Sequence, residues 1–319
     1  MIGGVIFMWI NKYVKLMFPK RMEDVQMEDA IQLKYDNIPK SLFKYRAIDD
    51  YSISNFENDE AWFNTAAEFN DPYDCALTMG DTVKDQMAAI LKESILEFNG
   101  EFGLGVVKEE LENMNFKEMS EFFVGICKKL GGEWEALARI TVFYIEKEEK
   151  EQLQQMNEKM QKTTKICCFS EINDSILMWS HYANNHKGFC IEYNFTKEGI
   201  DRSLTEQLQP VLYQDNLFNI GHYFHENGEK MNPFVTMYNA IVKSTEWSYE
   251  KEWRITYVNE KEKGYSKKLF SPQAIYLGAK MSEVEKERMI EMARKKQIEV
   301  YQMKMKNNEF KLIPERILL

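Results

Sequence analysis

A long helical stretch separates two groups of strand-like segments, and this arrangement limits the folds open to the chain. From residue 83 to about 163, apolar side chains recur at helical spacing while Glu and Lys cover the outer faces. Short runs on both sides, such as 41–46 and 165–171, alternate apolar and polar residues as strands do. We therefore predict an α+β fold with mixed, mainly antiparallel sheets and a helical insertion at about 83–163.

The remaining elements fit the same class. Further strands are predicted at 61–64, 188–195, 211–213, 250–258, 274–277, 299–305 and 310–313, with helices at 175–184, 232–247 and 281–296. We expect residues 38–319 to form a single α+β domain with this insertion, preceded by a leader at 1–37. The leader begins with about ten apolar residues, too few for the ~20 that span a bilayer. Its lysines follow the apolar run, which is the wrong order for a secretory signal.

Charge and cysteine content restrict the partners. Forty-one basic and 51 acidic residues give a formal net charge of −10, so the overall field does not favour nucleic acid, although a local basic cleft could still bind one. Five cysteines, an odd number without a CxxC pair, argue against a disulfide framework and for a reducing cytoplasm. We predict a cytoplasmic protein without a membrane partner.

The segment 248–257 is the strongest local signal for chemistry. On a strand, Glu250, Glu252 and Arg254 share one face, while Trp253 and Ile255 share the other and suit a core. Two interpretations of the polar face remain open. It is either a solvated surface with a Glu–Arg ion pair, or a catalytic carboxylate steadied by Arg254 and a second carboxylate.

A second signal is the segment 177–188, a short helix closed by Gly188. His181 lies on one helical face, and Tyr182 lies on another that we expect to point inward. His181 is a candidate acid/base or ligand-binding group, with a structural, partly buried histidine as the alternative.

Five motifs, taken in order, resemble a bacterial family. LFKYRA, FNDPYD, CCFSE, MWSHYANNHKGFCIEY and EWSYEKEWRITY together are similar to the domain-of-unknown-function family 2971, over about Ile38 to Thr256. That family has no settled activity. The resemblance implies a standalone bacterial or mobile-element protein, with an association to anti-phage defence.

The order of three polar residues is similar to a second family. Arg46, Ser170 and Glu252 follow the Arg–Ser–Glu arrangement of mono-ADP-ribosyltransferases, which implies a split sheet and NAD as substrate. In this resemblance Arg46 would bind the pyrophosphate, Ser170 the nicotinamide ribose, and Glu252 the 2′-hydroxyl and the cationic transition state. Glu250 would orient or deprotonate the acceptor, whose identity stays open.

Further residues are assigned to the same site. Trp179 or Tyr182 would stack on the nicotinamide ring, and Asn70 and Arg254 would help to bind the nucleotide. We predict that Arg46, Asn70, Ser170, His181 and Glu252 line one cleft, because each ends an element or lies on its polar face. We thus expect an ADP-ribosyltransferase or NAD glycohydrolase, acting as a toxin or defence effector, with no metal.

Two alternatives from other classes remain. A metal-dependent nuclease would arrange carboxylates around Mg²⁺, using Asp71, Asp74, Glu171, Glu250 and Glu252. A non-enzymatic nucleotide sensor would use the same cleft for binding alone.

Overall fold

The computed structural model describes residues 2–80, 82–223, 232–259 and 263–318. Its helices are α1 Ile2–Met17, α2 Met27–Tyr35, α3 Asp50–Glu57, α4 Thr82–Phe102, α5 Phe116–Leu130, α6 Gly132–Thr163, α7 Ile176–Tyr182, α8 Arg202–Gln207, α9 Val235–Ile241 and α10 Glu283–Lys296. Its strands are β1 Leu42–Arg46, β2 Glu60–Thr65, β3 Leu77–Thr78, β4 Thr164–Ser170, β5 Phe189–Tyr193, β6 Leu208–Pro210, β7 Leu212–Gln214, β8 Phe218–Asn219, β9 Val242–Ser244, β10 Glu252–Val258, β11 Tyr265–Lys268, β12 Ala274–Leu277, β13 Glu299–Met305 and β14 Leu312–Ile317.

Most strands join one mixed sheet in which antiparallel pairs predominate. Its order is β11-β2-β4-β1-β5-β12-β13-β14, and β10 pairs with both β4 and β6. β12 and β13 are parallel and are connected through α10, as parallel neighbours require a crossover. The α+β class and the mainly antiparallel sheet predicted from the sequence are confirmed.

The sheet forks along one edge of β4. The other edge of β4 pairs with β10 over its whole length, from Thr164 to Ser170. At the fork, β2 pairs with residues 165 and 166, whereas β1 pairs only with Ser170. Among the described strands, none pairs with 167–169 on this edge. Lys44 Nζ donates instead to the carbonyl oxygen of Cys168, at 3.1 Å, so a side chain bridges the gap between β1 and β4.

Each face of the sheet has its own core cluster. Leu42, Phe169 and Trp253 belong to the larger cluster, which also includes buried side chains of α10. On β1 the alternate residues Phe43 and Tyr45 belong to a second cluster, with Trp179 of α7, because successive strand residues point to opposite faces. The packing of α7 against β1 places this helix beside the fork.

The N-terminal leader packs against β10 and β6, and Trp9 contacts the larger cluster. The ring of Trp9 stacks on Trp253 at a centroid distance of 5.9 Å. Tyr13 is almost fully buried and donates a hydrogen bond to Gln209 of β6. No helix within the described residues is long and apolar enough to cross a membrane.

Contacts divide the chain into two units. One contains Met1–Ala76, Met160–Leu217 and Asn232–Leu319, and the other Leu77–Lys159 and Phe218–Met231. The second unit has its own core from α4, α5 and α6, with Leu91, Met119 and Ala138 among its buried residues. Asn115 begins α5 with a reciprocal capping box to Glu118. The sequence-based division into a leader and one domain with an insertion remains a prediction.

Two predicted elements beside the site differ from the structure. The helix expected over 232–247 ends at Ile241, because Val242–Ser244 extend to form β9, which pairs with β7. The strand expected from Glu250 begins at Glu252. Glu250 instead ends a 3-10 helix over Thr245–Glu250, and Lys251 then adopts a left-handed conformation with φ of 45°.

Candidate active site

A cavity of about 550 Å³ lies over the fork, and we call it the fork cavity. Its volume falls within the roughly 300–1,000 Å³ of ordinary small-molecule sites. β1, β2, β4, α7, β9 and β10 contribute to its lining, together with the turn after β2. The lining residues used below are Phe43, Lys44, Tyr45, Arg46, Trp62, Phe69, Asn70, Cys168, Ser170, His181, Tyr182, Lys243, Glu250 and Glu252.

Three buried charged side chains meet at this cavity. Lys243 Nζ lies 2.5 Å from Glu250 Oε2 and 2.9 Å from Glu252 Oε2. The left-handed Lys251 turns the chain between the two glutamates, so both carboxylates reach the same ammonium group.

Arg254 forms a second layer beneath Glu252. Its Nε and Nη2 donate to the two Glu252 carboxylate oxygens at 2.8 and 3.0 Å, and its Nη1 and Nη2 donate to Asp74 at 2.6 and 2.8 Å. Nη1 also donates to the carbonyl oxygen of Ala240 at 2.7 Å. Three carboxylates therefore face two cations, which leaves one formal negative charge at the edge of the cavity.

The pKa values of Glu250 and Glu252 are shifted in opposite directions. Burial and the charge of Glu252 raise the pKa of Glu250 above its usual range, against the opposing effect of Lys243. Burial also raises the pKa of Glu252, but Arg254 and Lys243 outweigh it and hold this pKa below the usual range. Of these two glutamates, Glu250 is therefore the one that is more easily protonated, while Glu252 stays ionised.

The helix α7 supplies a hydroxyl to Glu250. Ser175 caps this helix, because its side chain accepts a hydrogen bond from the Met178 amide. Tyr182 OH donates to Glu250 Oε1 at 2.6 Å. Burial and the nearby Glu250 charge raise the Tyr182 pKa, so the hydroxyl keeps its proton and acts as a donor. His181 is exposed at the rim of the cavity.

Two cationic side chains of β1 also line the cavity. Lys44 spans the fork as described above and lies over the Phe169 ring, 5.4 Å from its centroid. Arg46 is half-buried, and its guanidinium has no hydrogen-bond or ion-pair partner in the part of the chain that the structure describes. The fork cavity thus combines a carboxylate cluster with separate cations, one of which is available to an anionic ligand.

The structure brings together seven of the nine residues that the sequence assigned to the site. Those lining the fork cavity are Arg46, Asn70, Ser170, His181, Tyr182, Glu250 and Glu252. The hydroxyl of Ser170 is already engaged, since it donates to the Glu250 carbonyl at 2.6 Å and accepts from the Ile172 amide at 3.2 Å. Ser170 therefore positions the backbone of Glu250.

Trp179 and Arg254 do not line the cavity. Trp179 is fully buried, and its Nε1 donates to the Asn173 carbonyl at 2.7 Å while its ring packs edge-on against Tyr45. The prediction that this indole stacks on a ligand is therefore wrong, because no part of the ring is exposed. Arg254 is fully buried beneath Glu252, so it acts on the cavity only through that carboxylate.

Sequence reasoning missed Lys243 and Lys44, and it treated the polar face of β10 too simply. That face is buried, so the first of the two interpretations is wrong in expecting a solvated surface, although the Glu–Arg ion pair that it included is present between Glu252 and Arg254. A signal for Lys243 existed, because this lysine continues the apolar run Ala240–Val242, and a charge in a buried run is normally paired. Asp74 was considered only as a metal ligand, whereas it is the partner of Arg254.

The carboxylates of the nuclease alternative do not form a common ligand set. Asp74 and Glu252 are both occupied by Arg254, and Glu171 accepts from Trp253 Nε1 at 2.8 Å. No group of three or more His, Cys, Asp or Glu residues suited to a metal ion occurs within the described ranges.

Comparisons with known proteins identify a family. Residues 178–255 match the family model described as "Protein of unknown function (DUF2971)". The match runs from α7 into β10 and includes Lys243, Glu250 and Glu252. Over that range it confirms the resemblance carried by the sequence motifs. Searches of curated proteins and of solved structures gave no match.

Proposed function

We propose that the fork cavity binds a nucleotide of the NAD class and cleaves its N-glycosidic bond at the nicotinamide ribose. One observation carries this proposal. A buried carboxylate with a raised pKa, Glu250, lies beside an ionised one, Glu252, in a cavity that also presents a free guanidinium. A dinucleotide offers matching groups, namely an anionic pyrophosphate and a cationic nicotinamide.

The binding step uses the two ends of the cavity. Arg46 suits the pyrophosphate, because a guanidinium forms paired hydrogen bonds with phosphate oxygens. Trp62 and Phe69 are half-buried aromatic residues of the lining and supply ring surfaces, the role expected earlier of Trp179. Asn70 lies at the rim as an additional hydrogen-bonding group.

The chemical step uses the excess negative charge. Breaking the bond from ribose C1′ to the ring nitrogen sends the electron pair to that nitrogen, which becomes neutral, and leaves positive charge on the ribose. Glu252, fixed by Lys243 and Arg254, supplies preorganised negative charge to stabilise this cation. Glu250 accepts the proton that the incoming nucleophile loses as its oxygen or nitrogen bonds to C1′.

The biological setting follows from the same chemistry. All five cysteines are free thiols, which suits a reducing cytoplasm where NAD is present. A protein that depletes the cell of NAD, or that transfers ADP-ribose to a macromolecule, would act as a toxin or an anti-phage defence effector. Binding without cleavage, as in a nucleotide sensor, is the competing outcome that the following test separates.

The test measures nicotinamide release from NAD, with water and with cell extract as acceptors. We expect the wild type to release nicotinamide and Glu250→Gln to reduce turnover by ~10²-fold or more. Glu315→Gln, at an exposed position on β14, is the matched control and should leave turnover unchanged. Melting temperatures of all variants distinguish lost chemistry from lost folding.

A second variant, Tyr182→Phe, removes only the hydroxyl bound to Glu250. We expect a smaller fall in turnover and a pH–rate profile whose limb shifts, since Glu250 loses a hydrogen-bond donor that stabilises its charge. Nicotinamide release that is unchanged in a folded Glu250→Gln protein would reject the assignment. Calorimetric NAD binding without any release would favour the sensor.

A further inference from the structure

A second cavity, of about 530 Å³, lies at the hairpin formed by β13 and β14, and we call it the hairpin cavity. Its lining includes Lys280, Lys306 and Lys311, with Glu309 as the only acidic residue, together with Phe310, His186 and Ile176. Three lysines and one glutamate give a local excess of positive charge on a chain whose formal net charge is −10. Such a contrast concentrates anions at this place.

Two of the lysines are held opposite each other at the hairpin end. Met305 pairs with Leu312, and the Lys306 amide then donates to the Lys311 carbonyl at 3.0 Å. Like charges directly across a ladder destabilise it. Glu309 compensates the charge of Lys306, because its Oε1 lies 2.8 Å from Lys306 Nζ. The Lys311 ammonium has no hydrogen-bond or ion-pair partner among the residues that the structure describes, so an external anion would complete the arrangement.

The same hairpin also carries an exposed aromatic ring. Phe310 has a relative exposure of 102%, so its whole ring is presented to solvent at the tip of the hairpin. Lys280 follows β12 and also lines this cavity, and its amide donates to the His186 carbonyl at 2.9 Å. Alternating cations and an exposed aromatic ring are the arrangement with which proteins bind single-stranded nucleic acid: bases stack while lysines contact phosphates.

The hairpin cavity lies close to the fork cavity along α7. Ile176 at the start of this helix lines the hairpin cavity, whereas His181 and Tyr182 at its end line the fork cavity. Six residues of helix separate these positions by about 9 Å along the axis. We infer that the hairpin cavity binds a single strand of nucleic acid, with phosphates on Lys280, Lys306 and Lys311 and a base on Phe310.

The test is fluorescence anisotropy of a labelled oligothymidylate over a series of salt concentrations. Three phosphate contacts on a single strand predict a slope of about −2 for log affinity against log salt. The triple variant Lys280→Gln, Lys306→Gln, Lys311→Gln should lose this slope. Phe310→Ala should weaken binding about tenfold with the slope retained, because it removes stacking and no charge.

The matched control carries Lys117→Gln, Lys129→Gln and Lys150→Gln, three exposed positions with the same change in charge. This control should bind the oligothymidylate as the wild type does. Glu250→Gln should do so too, because binding of the oligonucleotide at the hairpin cavity does not use the chemistry of the fork cavity. Equal affinity of the wild type and the hairpin variants would overturn the inference. Oligoglutamate that displaces the oligonucleotide at equal charge would also overturn it and would indicate an acidic protein segment.

Discussion

At the scale of single residues, the buried charges of the first unit depend on one another. Arg254 is fully buried and contacts both Asp74 and Glu252, while Lys243 contacts both Glu250 and Glu252. Each charge is therefore compensated only while its neighbours are present, and removal of one leaves an unpaired buried ion.

Arg254→Met tests this dependence. We expect it to lower the free energy of unfolding by about 3–5 kcal/mol, because Asp74 and Glu252 lose their shared cation in a buried site. Urea unfolding followed by circular dichroism gives the value. Arg139→Met, which breaks an exposed pair with Glu135, should cost less than about 1 kcal/mol. Equal losses in the two variants would show that the Arg254 network is not a buried ionic unit.

Lys34 is a second buried charge, away from the cavity. It is 1% exposed, and its Nζ donates to the carbonyl oxygens of Thr205 and Glu206 at 3.0 and 2.7 Å. Burial lowers its pKa from 10.5 to about 7, partly opposed by the charge of Glu206. The unfolded chain thus binds this proton more tightly than the folded protein between pH 7 and pH 10.5.

Stability should therefore rise with pH across that window relative to Lys34→Met, and the contribution should be lost as the pH falls from 10.5 through 7. The expected size is about 1.4 kcal/mol for each unit of pKa shift that the folded protein imposes. Urea unfolding of both proteins at pH 6.5, 8 and 9.5 measures it. Parallel pH profiles for the two proteins would contradict a depressed Lys34 pKa.

At the scale of elements, the end of β1 and the start of β5 approach each other closely. A Cβ atom at Gly188 would lie 2.1 Å from the Arg46 carbonyl oxygen and 3.0 Å from Ala183. Both neighbours are backbone, which cannot move aside as a flexible side chain would. This glycine was predicted only as the end of the helix before β5, and its second role comes from β1.

Gly188→Ala should therefore destabilise the protein by about 1–3 kcal/mol, the usual cost of overpacking, and displace the Arg46 end of β1. Gly100→Ala is the control, because no atom lies within 4 Å of its Cβ position in α4. It should be neutral or stabilising by up to ~1 kcal/mol through helix propensity. Thermal unfolding compares the two, and a harmless Gly188→Ala would mean that β1 and β5 do not approach so closely.

At the scale of the whole molecule, the chain has two units with separate cores. The fork cavity is lined entirely by the first unit, whereas Met119 belongs to the core of α4, α5 and α6 in the second. Stability and ligand binding should therefore respond separately to core changes in the second unit.

Met119→Ala should destabilise the second unit by about 2–5 kcal/mol, the usual cost of emptying a core position. Hydrogen exchange followed by mass spectrometry should accelerate in α4 and α5 and stay unchanged in β1, β4 and β10. NAD affinity, measured by calorimetry, should stay as in the wild type. Faster exchange throughout the sheet would contradict the independence of the two cores.

The sequence by itself determined the class of fold and the helical stretch, and seven of the site residues that it predicted line the fork cavity. The strand-like runs predicted β1, β4, β12 and β13 close to their observed bounds, although β1, β4 and β12 are buried on both faces. Only the tertiary structure decided how Glu250 and Glu252 share Lys243, because the left-handed Lys251 and the early end of α9 depend on pairing with distant strands. The fork itself arises where one edge of β4 meets both β1 and β2, and long-range pairing of this kind leaves no local pattern in the chain.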